Sequence, residues 1–201
     1  EGDLLLFVCG ATKIVNESLA QLRNYFGKEL GLIEKKQFVF EWVTDFPLLK
    51  YNEKEKRWDS EHHPFTAPKE EDIHKLDTDP AAVGSRAYDL VINGVEIASG
   101  SIRIHNPDLQ KKIFQLIKLS EQDIEARFGF LVRALSYGAP PHGGIAPGLD
   151  RLAAIMSDSE SIRDVIAFPK TQRGACPMTG APSRVPDRQL KELGLEIKKK
   201  D

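Results

Sequence analysis

Residues 87–104 read AYDLVINGVEIASGSIRI, and this stretch decides the fold class. Two runs rich in branched and apolar residues flank Asn93-Gly94, the dipeptide preferred in a two-residue type I′ turn. The pattern predicts an antiparallel hairpin in which Val91 pairs with Glu96. Because these strands form a hairpin rather than alternating with helices, the sequence favours an α+β fold with an antiparallel sheet over a doubly wound fold.

Further elements are predicted on the N-terminal and C-terminal sides of the hairpin. Apolar residues at helical spacing predict a helix over 15–30, and the alternating run FVFEWV predicts a strand over 38–43. The charged residues 50–59 are expected to form a solvated loop. A buried strand is expected over 165–168 and a short helix over 186–194.

Three helices and a strand are also predicted after the hairpin. Asn106-Pro107 is typical of a helix start, with an Asn cap and Pro at the first position. Ser120 begins a second helix with a pattern like a capping box. A short apolar strand is expected over 144–146, followed by a helix from Gly148.

The composition of the 201 residues excludes several classes of protein. The 28 basic and 30 acidic residues give a net charge of −2, which is too neutral to indicate nucleic-acid or membrane binding. Hydrophobic residues make up 41%, enough for a packed core. No apolar run approaches the ~18 residues of a membrane span. Cys9 and Cys176 lie far apart without metal spacing, which is typical of a reducing compartment.

The hairpin carries two acidic residues that could bind a metal ion. Side chains alternate along a strand, so Asp89 lies on the same face as Val91 and becomes a diagonal neighbour of Glu96. Two carboxylates at that separation can share a hard cation such as Mg²⁺. The alternative is that both acids simply face water.

Arg103 lies farther along the second strand of the hairpin. A regular strand would place it on the face opposite Glu96. A bulge within Ser99-Gly100-Ser101 would reset the alternation and bring the two to one face. On the site face, Arg103 could bind a carboxylate in a bidentate fork; a cross-strand ion pair is the alternative.

Arg151 and two adjacent histidines are further candidates for binding anions. Arg151 lies in the first turn of a predicted helix, whose N-terminus favours anions, so a phosphate could lie between them. An ion pair with Asp150 or another nearby acid is the alternative. Because adjacent side chains point in opposite directions, His62 and His63 are not expected to chelate one ion; one could donate a hydrogen bond to an anion, or both could be ordinary loop residues.

Four longer strings together resemble one known family. The strings are, in chain order, HHPFTAP (62–68), YDLVINGVEIASGSIRIHN (88–106), YGAPPHGGIAPGLDRL (137–152) and SIRDVIAFPKT (161–171). In this order they are similar to the C-terminal half of bacterial or organellar-type aspartyl-tRNA synthetases, and the resemblance extends from about Gly2 to Val185. Residues 148–151 match the third signature motif of class II aminoacyl-tRNA synthetases.

The resemblance implies a partial class II catalytic core, in which helices flank an antiparallel sheet. Members of the family join aspartate to tRNA in two steps, through an aspartyl-adenylate made from ATP with Mg²⁺. By position, Arg151 matches the arginine that contacts the ATP γ-phosphate. Gly148, Leu149 and Asp150 match the neighbouring residues of the ATP pocket.

The resemblance also assigns roles to the hairpin and the histidines. Asp89 and Glu96 match the magnesium-binding acids, and Glu96 also belongs to the ATP site. Arg103 matches the arginine that binds the side-chain carboxylate of aspartate. His62 matches a histidine of the aspartate site, with His63 beside it. Arg151, Glu96 and Arg103 are therefore the expected catalytic residues.

The chain departs from the family pattern in two ways. The family has three glycines after the hairpin glutamate, whereas this chain has Ala98-Ser99-Gly100, so the added side chains could narrow the site. The first and second class II motifs and the anticodon-binding barrel have no counterpart in the sequence. The resemblance therefore implies that residues 1–35 end an inserted domain and return to the core, and that 36–201 form the C-terminal part of the catalytic domain.

Two functions follow as expectations. The first is the ATP- and aspartate-binding part of an aspartate–tRNA ligase, inactive alone, which acts on tRNA within a homodimeric full-length enzyme of the cytoplasm or an organellar matrix, away from membranes. The second is a non-catalytic binding or scaffold relative that kept the fold. The acids with Arg103 and Arg151 favour the first, and the Ala98-Ser99 change leaves room for the second.

Overall fold

The computed structural model describes residues 2–34 and 37–198, and the chain divides between Phe40 and Glu41 into two compact units. The first unit contains helix α1 (Thr12–Glu29), which confirms the helix predicted over 15–30. None of its residues is buried. Gly31 follows with φ +64°, a conformation that glycine adopts readily and that commonly ends helices. The domain boundary predicted at residues 35 and 36 falls outside the described residues.

The remaining regular elements follow α1 in chain order. Within the described ranges, no helix combines the length and apolar character needed to cross a bilayer. The strands and α-helices are β1 (Phe40–Val43), β2 (Leu49–Asn52), β3 (Arg57–Ser60), β4 (Ala87–Ile92), β5 (Val95–Ile102), α2 (Pro107–Leu116), α3 (Glu121–Ser136), β6 (Gly143–Pro147), α4 (Leu149–Met156) and α5 (Asp187–Glu192), with 3₁₀ helices at Glu70–Asp77, Pro80–Ala82 and Ile162–Asp164.

The sheet is built around the predicted hairpin. Its strand order is β1-β4-β5-β6, with β5 antiparallel to both β4 and β6. Asn93 and Gly94 have φ values of +50° and +80°, and a type I′ turn requires positive values at both positions. Helices accompany this antiparallel sheet, so the α+β prediction is confirmed.

A β-bulge interrupts the hairpin between its turn and its far end. Val91 faces Glu96 as predicted, but Leu90 faces Ala98, which leaves Ile97 as the extra residue. The bulge was predicted within residues 99–101, and that position is wrong. The Ile97 carbonyl, freed from the β4 ladder, accepts a hydrogen bond of 2.6 Å from the N–H of Gly148.

The bulge resets which side chains share a face of the sheet. Asp89 now faces Ser99 instead of Ala98, the partner that a regular hairpin would give it. Because one residue has been added between them, Glu96 and Ser99 lie on the same face, and the alternation continues from Ser99 to Arg103. The bulge thus gives Glu96 and Arg103 a common face, which a regular strand would not.

Residues 50–59 form a second hairpin, so the prediction of a charged loop is wrong. Strands β2 and β3 pair with Tyr51 opposite Trp58, and the two rings make an edge-to-face contact with centroids 5.2 Å apart. Asn52 Oδ1 accepts hydrogen bonds from the N–H groups of Lys54 and Glu55 and so closes the turn. This aromatic pair and the Asn turn favour a hairpin, although the stretch is rich in charged residues.

The strand predicted over 165–168 is also wrong. Residues 165–168 follow the 3₁₀ helix Ile162–Asp164 and form a turn and bends. Phe168 is 62% exposed, so the apolar run is not a core segment. A run of four apolar residues is too short for periodicity to identify its structure. The short helix predicted over 186–194 is confirmed as α5.

The main hydrophobic core lies where α2 and α3 pack beside the β2–β3 hairpin. Asn106 and Ser120 cap these two helices as predicted. Phe114 is 1% exposed and stacks on Phe128 at 5.6 Å. Phe65 packs edge-on against both rings, so this core supports the chain segment that follows His62 and His63.

Candidate functional site

An open cavity of about 380 Å³ lies against the β4–β5 hairpin. Its lining includes His62, Asp89, Glu96 and Ser99. The structure therefore brings together three residues that the sequence nominated, from two separate segments of the chain. We call this space the acid cavity.

Helix α4 begins beside the acid cavity. Arg151, in its first turn, donates a hydrogen bond of 2.6 Å from Nη1 to the backbone carbonyl of Glu96, and the same nitrogen lies 3.3 Å from Glu96 Oε1. The predicted alternative, an ion pair with a nearby acid, is thus present with Glu96 as the partner. Leu149 and Asp150 are exposed in the same turn. The start of α4 thus holds a positive group, Arg151, against Glu96, which lines the cavity.

Arg103 lies in a neighbouring cavity of about 340 Å³, which we call the arginine cavity. Its lining combines His63 and Arg103 with apolar side chains of α3, including Leu131 and Leu135. Arg103 Nη1 contacts Ser101 Oγ and His63 Nε2. The sequence-nominated residues thus form two adjacent groups: Asp89, Glu96, His62 and Arg151 in one, Arg103 and His63 in the other.

His63 is held as a neutral ring. Both ring nitrogens face donors, because the backbone N–H of Phe65 donates to Nδ1 at 3.2 Å and Arg103 Nη1 contacts Nε2. Burial, followed by the positive charge of Arg103 and then that of His62, lowers the pKa of His63 from 6.5 to about 4. The ring is therefore uncharged at neutral pH.

His62 and His63 contribute to different cavities although they are adjacent in the chain. Their ring centroids lie 4.6 Å apart with the planes tilted by 43°. His62 lines the acid cavity and His63 lines the arginine cavity. The two rings thus contact each other, whereas the sequence predicted that these adjacent side chains point in opposite directions.

The acid cavity is lined by the carboxylates of Glu61, Asp89 and Glu96 and by the His62 ring. Across residues 2–34 and 37–198, no group of three or more His, Cys, Asp or Glu side chains is placed to hold a metal ion. The carboxylates of Asp89 and Glu96 are the acidic side chains of β4 and β5 in this cavity. A donor set of two carboxylates suits Mg²⁺, which usually completes its coordination with water and substrate phosphate oxygens.

Two glycines near Arg103 matter in a way that the sequence reasoning missed. A Cβ on Gly100 would lie 2.2 Å from the carbonyl oxygen of Gly144 and 2.5 Å from the Tyr88 ring, so only glycine fits. A Cβ on Gly144 would lie 3.2 Å from Arg103 Nη2. A glycine inside a strand pattern often marks such a close approach, and this signal could have identified both positions.

Ala98 and Ser99, where the resemblance led us to expect glycines, lie in different surroundings. Ser99 lines the acid cavity, so its hydroxyl adds polarity there. Ala98 is 3% exposed and lies on the other face of β5. Only Ser99 therefore alters the candidate site directly.

The chain was compared with known protein families and curated proteins. The sequence pattern of tRNA synthetases class II (D, K and N) matches residues 11–172. The chain is 58% identical over 196 residues to an aspartate–tRNA(Asp/Asn) ligase of Geotalea uraniireducens (strain Rf4). It is 54% identical over 200 residues to an aspartate–tRNA ligase of Clostridium tetani (strain Massachusetts / E88). Each alignment covers 98% of this chain but 33% and 34% of the relatives, so the chain spans about a third of their length.

Solved structures with the same fold were also found. An aspartyl-tRNA synthetase from Entamoeba histolytica matches with a TM-score of 0.51 at 22% identity, over 86% of this chain and 29% of that one. An asparaginyl-tRNA synthetase from the same organism, in complex with asparaginyl-adenylate, matches with a TM-score of 0.51 over 78% of this chain and 29% of that one. At this level of identity the likeness concerns the fold.

Proposed function

Because the chain belongs to the class II tRNA synthetases (D, K and N), we propose that it is the C-terminal third of a bacterial-type aspartate–tRNA ligase. The relatives at 54% and 58% identity are named aspartate–tRNA ligase and aspartate–tRNA(Asp/Asn) ligase, and each aligns with 98% of the chain, which supports the proposal. In this assignment residues 1–35 end an inserted domain, and residues 36–201 form the C-terminal part of the catalytic domain.

The observation that best supports this function is that Asp89 and Glu96 line one open cavity while Arg151 contacts Glu96. The Ile97 bulge adds Arg103 to the same face of β5. A reaction between ATP and an amino acid needs groups for phosphates, for their counter-ion and for the amino acid. The two acids and two arginines provide these groups on one side of the sheet.

The ATP-binding residues in this proposal are Glu96 and the turn from Gly148 to Arg151. The α4 N-terminus and the Arg151 guanidinium both attract phosphate oxygens. Arg151 is 47% exposed, so its side chain can reach a ligand in the cavity. Its hydrogen bond to the Glu96 carbonyl holds the start of α4 beside the acid that faces the same ligand.

Asp89 and Glu96 would hold Mg²⁺ in the acid cavity. When bound, the ion would neutralise the negative charge of the ATP phosphates. Glu96 is 50% exposed and Arg151 lies 3.3 Å from it, so one carboxylate faces both a cation of the protein and the cavity. Asp89, on the neighbouring strand, supplies the second oxygen ligand.

Arg103, His62 and His63 form the aspartate site in this proposal. The guanidinium of Arg103 presents two parallel N–H groups that match the side-chain carboxylate. His63 is neutral, so it adds no charge to this site. His62 lies between the acid cavity and the arginine cavity, in ring contact with His63, where it can donate to an anionic group.

The proposed reaction begins with attack of the aspartate α-carboxylate on the α-phosphorus of ATP, which releases pyrophosphate and forms aspartyl-adenylate. A terminal hydroxyl of the tRNA then attacks the aspartyl carbonyl of the adenylate, which forms the ester and releases AMP. Arg151, Glu96 and Arg103 are the catalytic residues, since they would contact the reacting substrates. The complete enzyme is proposed to be a homodimer in the cytoplasm, with an organellar matrix as the alternative location.

The experiment that tests this function measures aspartate-dependent exchange of pyrophosphate into ATP. The full-length protein that contains this chain is expected to catalyse the exchange only with aspartate and Mg²⁺. The 201-residue chain alone is expected to form no aspartyl-adenylate, because the second class II motif, which supplies the α-phosphate arginine, has no counterpart in it. Absence of exchange by the full-length protein would support the non-catalytic alternative.

A further inference from the structure

We propose that Ser101 is a positioning residue that sets the orientation of the Arg103 guanidinium for the substrate carboxylate. This inference rests on the proposed function, because it concerns the same aspartate site. Ser101 is 0% exposed, so its hydroxyl cannot touch substrate itself. Any contribution to substrate binding must pass through its neighbours.

The hydroxyl of Ser101 is shared by three side chains. Arg103 Nη1 donates to Ser101 Oγ, and His63 Nε2 lies 3.3 Å from it. Thr66, which is 2% exposed, also lies within 3.3 Å of Oγ. In the described part of the chain, these polar partners all belong to Arg103 or to the segment that carries the histidines.

The donors around Ser101 explain why an acceptor is needed at this position. The Arg103 guanidinium has only donors. Its Nη1 contacts both Ser101 Oγ and His63 Nε2. Ser101 Oγ has two lone pairs and is the oxygen that accepts from Nη1.

The opposite side of the guanidinium is confined as well. The missing side chain of Gly144 leaves room for Arg103 Nη2, which would lie 3.2 Å from a Cβ at that position. The backbone N–H of Arg103 donates to the His142 carbonyl at 2.9 Å. With Nη1 bound to Ser101 and Nη2 beside Gly144, rotation of the guanidinium is restricted. A guanidinium that is fixed before the substrate binds can donate to both oxygens of a carboxylate without first reorienting.

The test compares Ser101→Ala with a matched control in the full-length ligase. Ser101→Ala is expected to raise the KM for aspartate about tenfold and to leave the KM for ATP within about twofold. The control is Ser85→Ala, because Ser85 is 2% exposed and its Oγ accepts only a weak 3.3 Å bond from the Ala87 N–H. A general loss of structure would raise both KM values, whereas the proposal predicts a split between them.

A double-mutant cycle separates action through Arg103 from an independent structural effect. If Ser101 acts by orienting Arg103, Ser101→Ala should have little further effect on aspartate binding in the Arg103→Lys background. Additive effects would overturn the proposal, as would an unchanged KM for aspartate in Ser101→Ala. Ser101→Cys keeps the size and a weak acceptor, so its KM should fall between those of wild type and Ser101→Ala, and it serves as the test if Ser101→Ala does not fold.

A spectroscopic readout tests the inference independently of activity. In the full-length protein, the Nη1 hydrogens of Arg103 should be protected from solvent exchange, and Ser101→Ala should remove that protection while Ser85→Ala leaves it. An Arg103 resonance that is unchanged in Ser101→Ala would overturn the inference even if the ligase is active. Loss of aspartate-dependent exchange in the wild-type full-length protein would instead overturn the proposed function.

Discussion

The acid cavity and the arginine cavity lie side by side but are built in different ways. Glu96, which lines the acid cavity, and its partner Arg151 are about half exposed and contact one another. In the arginine cavity, Arg103 contacts the fully buried Ser101, and apolar residues of α3 form a wall. One site therefore consists of exposed charges, and the other of a charge held by buried hydroxyl and imidazole groups.

Because of this difference, mutations in the two cavities are expected to affect stability and function differently. Exposed ion pairs contribute little to the free energy of unfolding, so the acid cavity can be altered at little cost to the fold. The arginine cavity shares Phe65 with the main core, so changes beneath it affect both folding and substrate geometry. The side chains of the acid cavity are expected to become ordered when its ligands bind. Those of the arginine cavity are expected to be ordered before the ligands bind.

The largest effect is expected on stability, in the core beside the arginine cavity. Phe114→Ala should lower the free energy of unfolding by about 3–5 kcal/mol, because the removed ring stacks on Phe128 and leaves a cavity. Urea unfolding of the chain measures this loss. The control is Phe130→Ala on α3, where the ring is 71% exposed and the loss should be much smaller. Equal losses in the two variants would contradict the assignment of this core.

The next effect concerns catalysis in the acid cavity. Arg151→Ala in the full-length ligase should slow adenylate formation about 10²-fold, on the order of 3 kcal/mol, because it removes a positioned cation from the developing pyrophosphate. Pre-steady-state formation of aspartyl-adenylate measures the rate. Arg188→Ala, which removes an exposed arginine paired with Glu192 on α5, is the control. An unchanged rate in Arg151→Ala would mean that this arginine only pairs with Glu96.

A smaller effect is expected when charge is kept but geometry is lost. Arg103→Lys should raise the KM for aspartate by about tenfold or more while the KM for ATP changes little, since lysine lacks the two-pronged match to a carboxylate. Steady-state pyrophosphate exchange measures both constants. Equal shifts in the two constants would exclude Arg103 as the group that binds the side-chain carboxylate.

The fourth prediction is that a change in the acid cavity affects ligand binding but hardly the stability of the fold. Glu96→Gln should remove the Mg²⁺ dependence of ATP binding but change the free energy of unfolding by no more than about 0.5 kcal/mol, because Glu96 is half exposed. Calorimetry with ATP, with and without Mg²⁺, and urea unfolding measure the two quantities. Binding of ATP that keeps its Mg²⁺ dependence would show that Glu96 is not a ligand.

The smallest effect concerns the protonation of His63. Its ring should stay neutral until the pH falls to about 4, whereas in the unfolded chain the pKa returns to about 6.5. The unfolded state then binds more protons between these values, so stability falls as the pH drops from 6.5 to 4. Histidine ¹⁵N chemical shifts measure the midpoint. Arg103→Gln should raise the pKa partway, because it removes a positive charge but leaves the burial; no rise would contradict the proximity of Arg103.

Local sequence features predicted the hairpin but not the bulge that completes the site. The Asn93-Gly94 turn sets the pairing of Val91 with Glu96 through its own backbone preferences, so the sequence suffices there. The bulge at Ile97 depends on a hydrogen bond to Gly148, about 50 residues away in the chain. Contacts of this kind leave no local pattern, and only the need for a bulge could be inferred.

The candidate residues were easier to nominate than the groups that hold them. Charged residues in unusual places, such as Arg151 at the start of a helix, attract attention by their chemistry. Ser101 is a small polar residue inside a strand and gives no such signal until its burial and contacts are known. The resemblance to a family supplied roles for the charged residues and none for Ser101.

The measurement that most directly tests the account is a crystal structure of the full-length protein with Mg²⁺ and a non-hydrolysable aspartyl-adenylate analogue. The account predicts one ligand across both cavities, with its side-chain carboxylate on Arg103 and its phosphate on the side of Glu96 and the α4 N-terminus. Arg103 on the face of β5 opposite Glu96, or an analogue bound away from both, would contradict the claim that the Ile97 bulge assembles a single site.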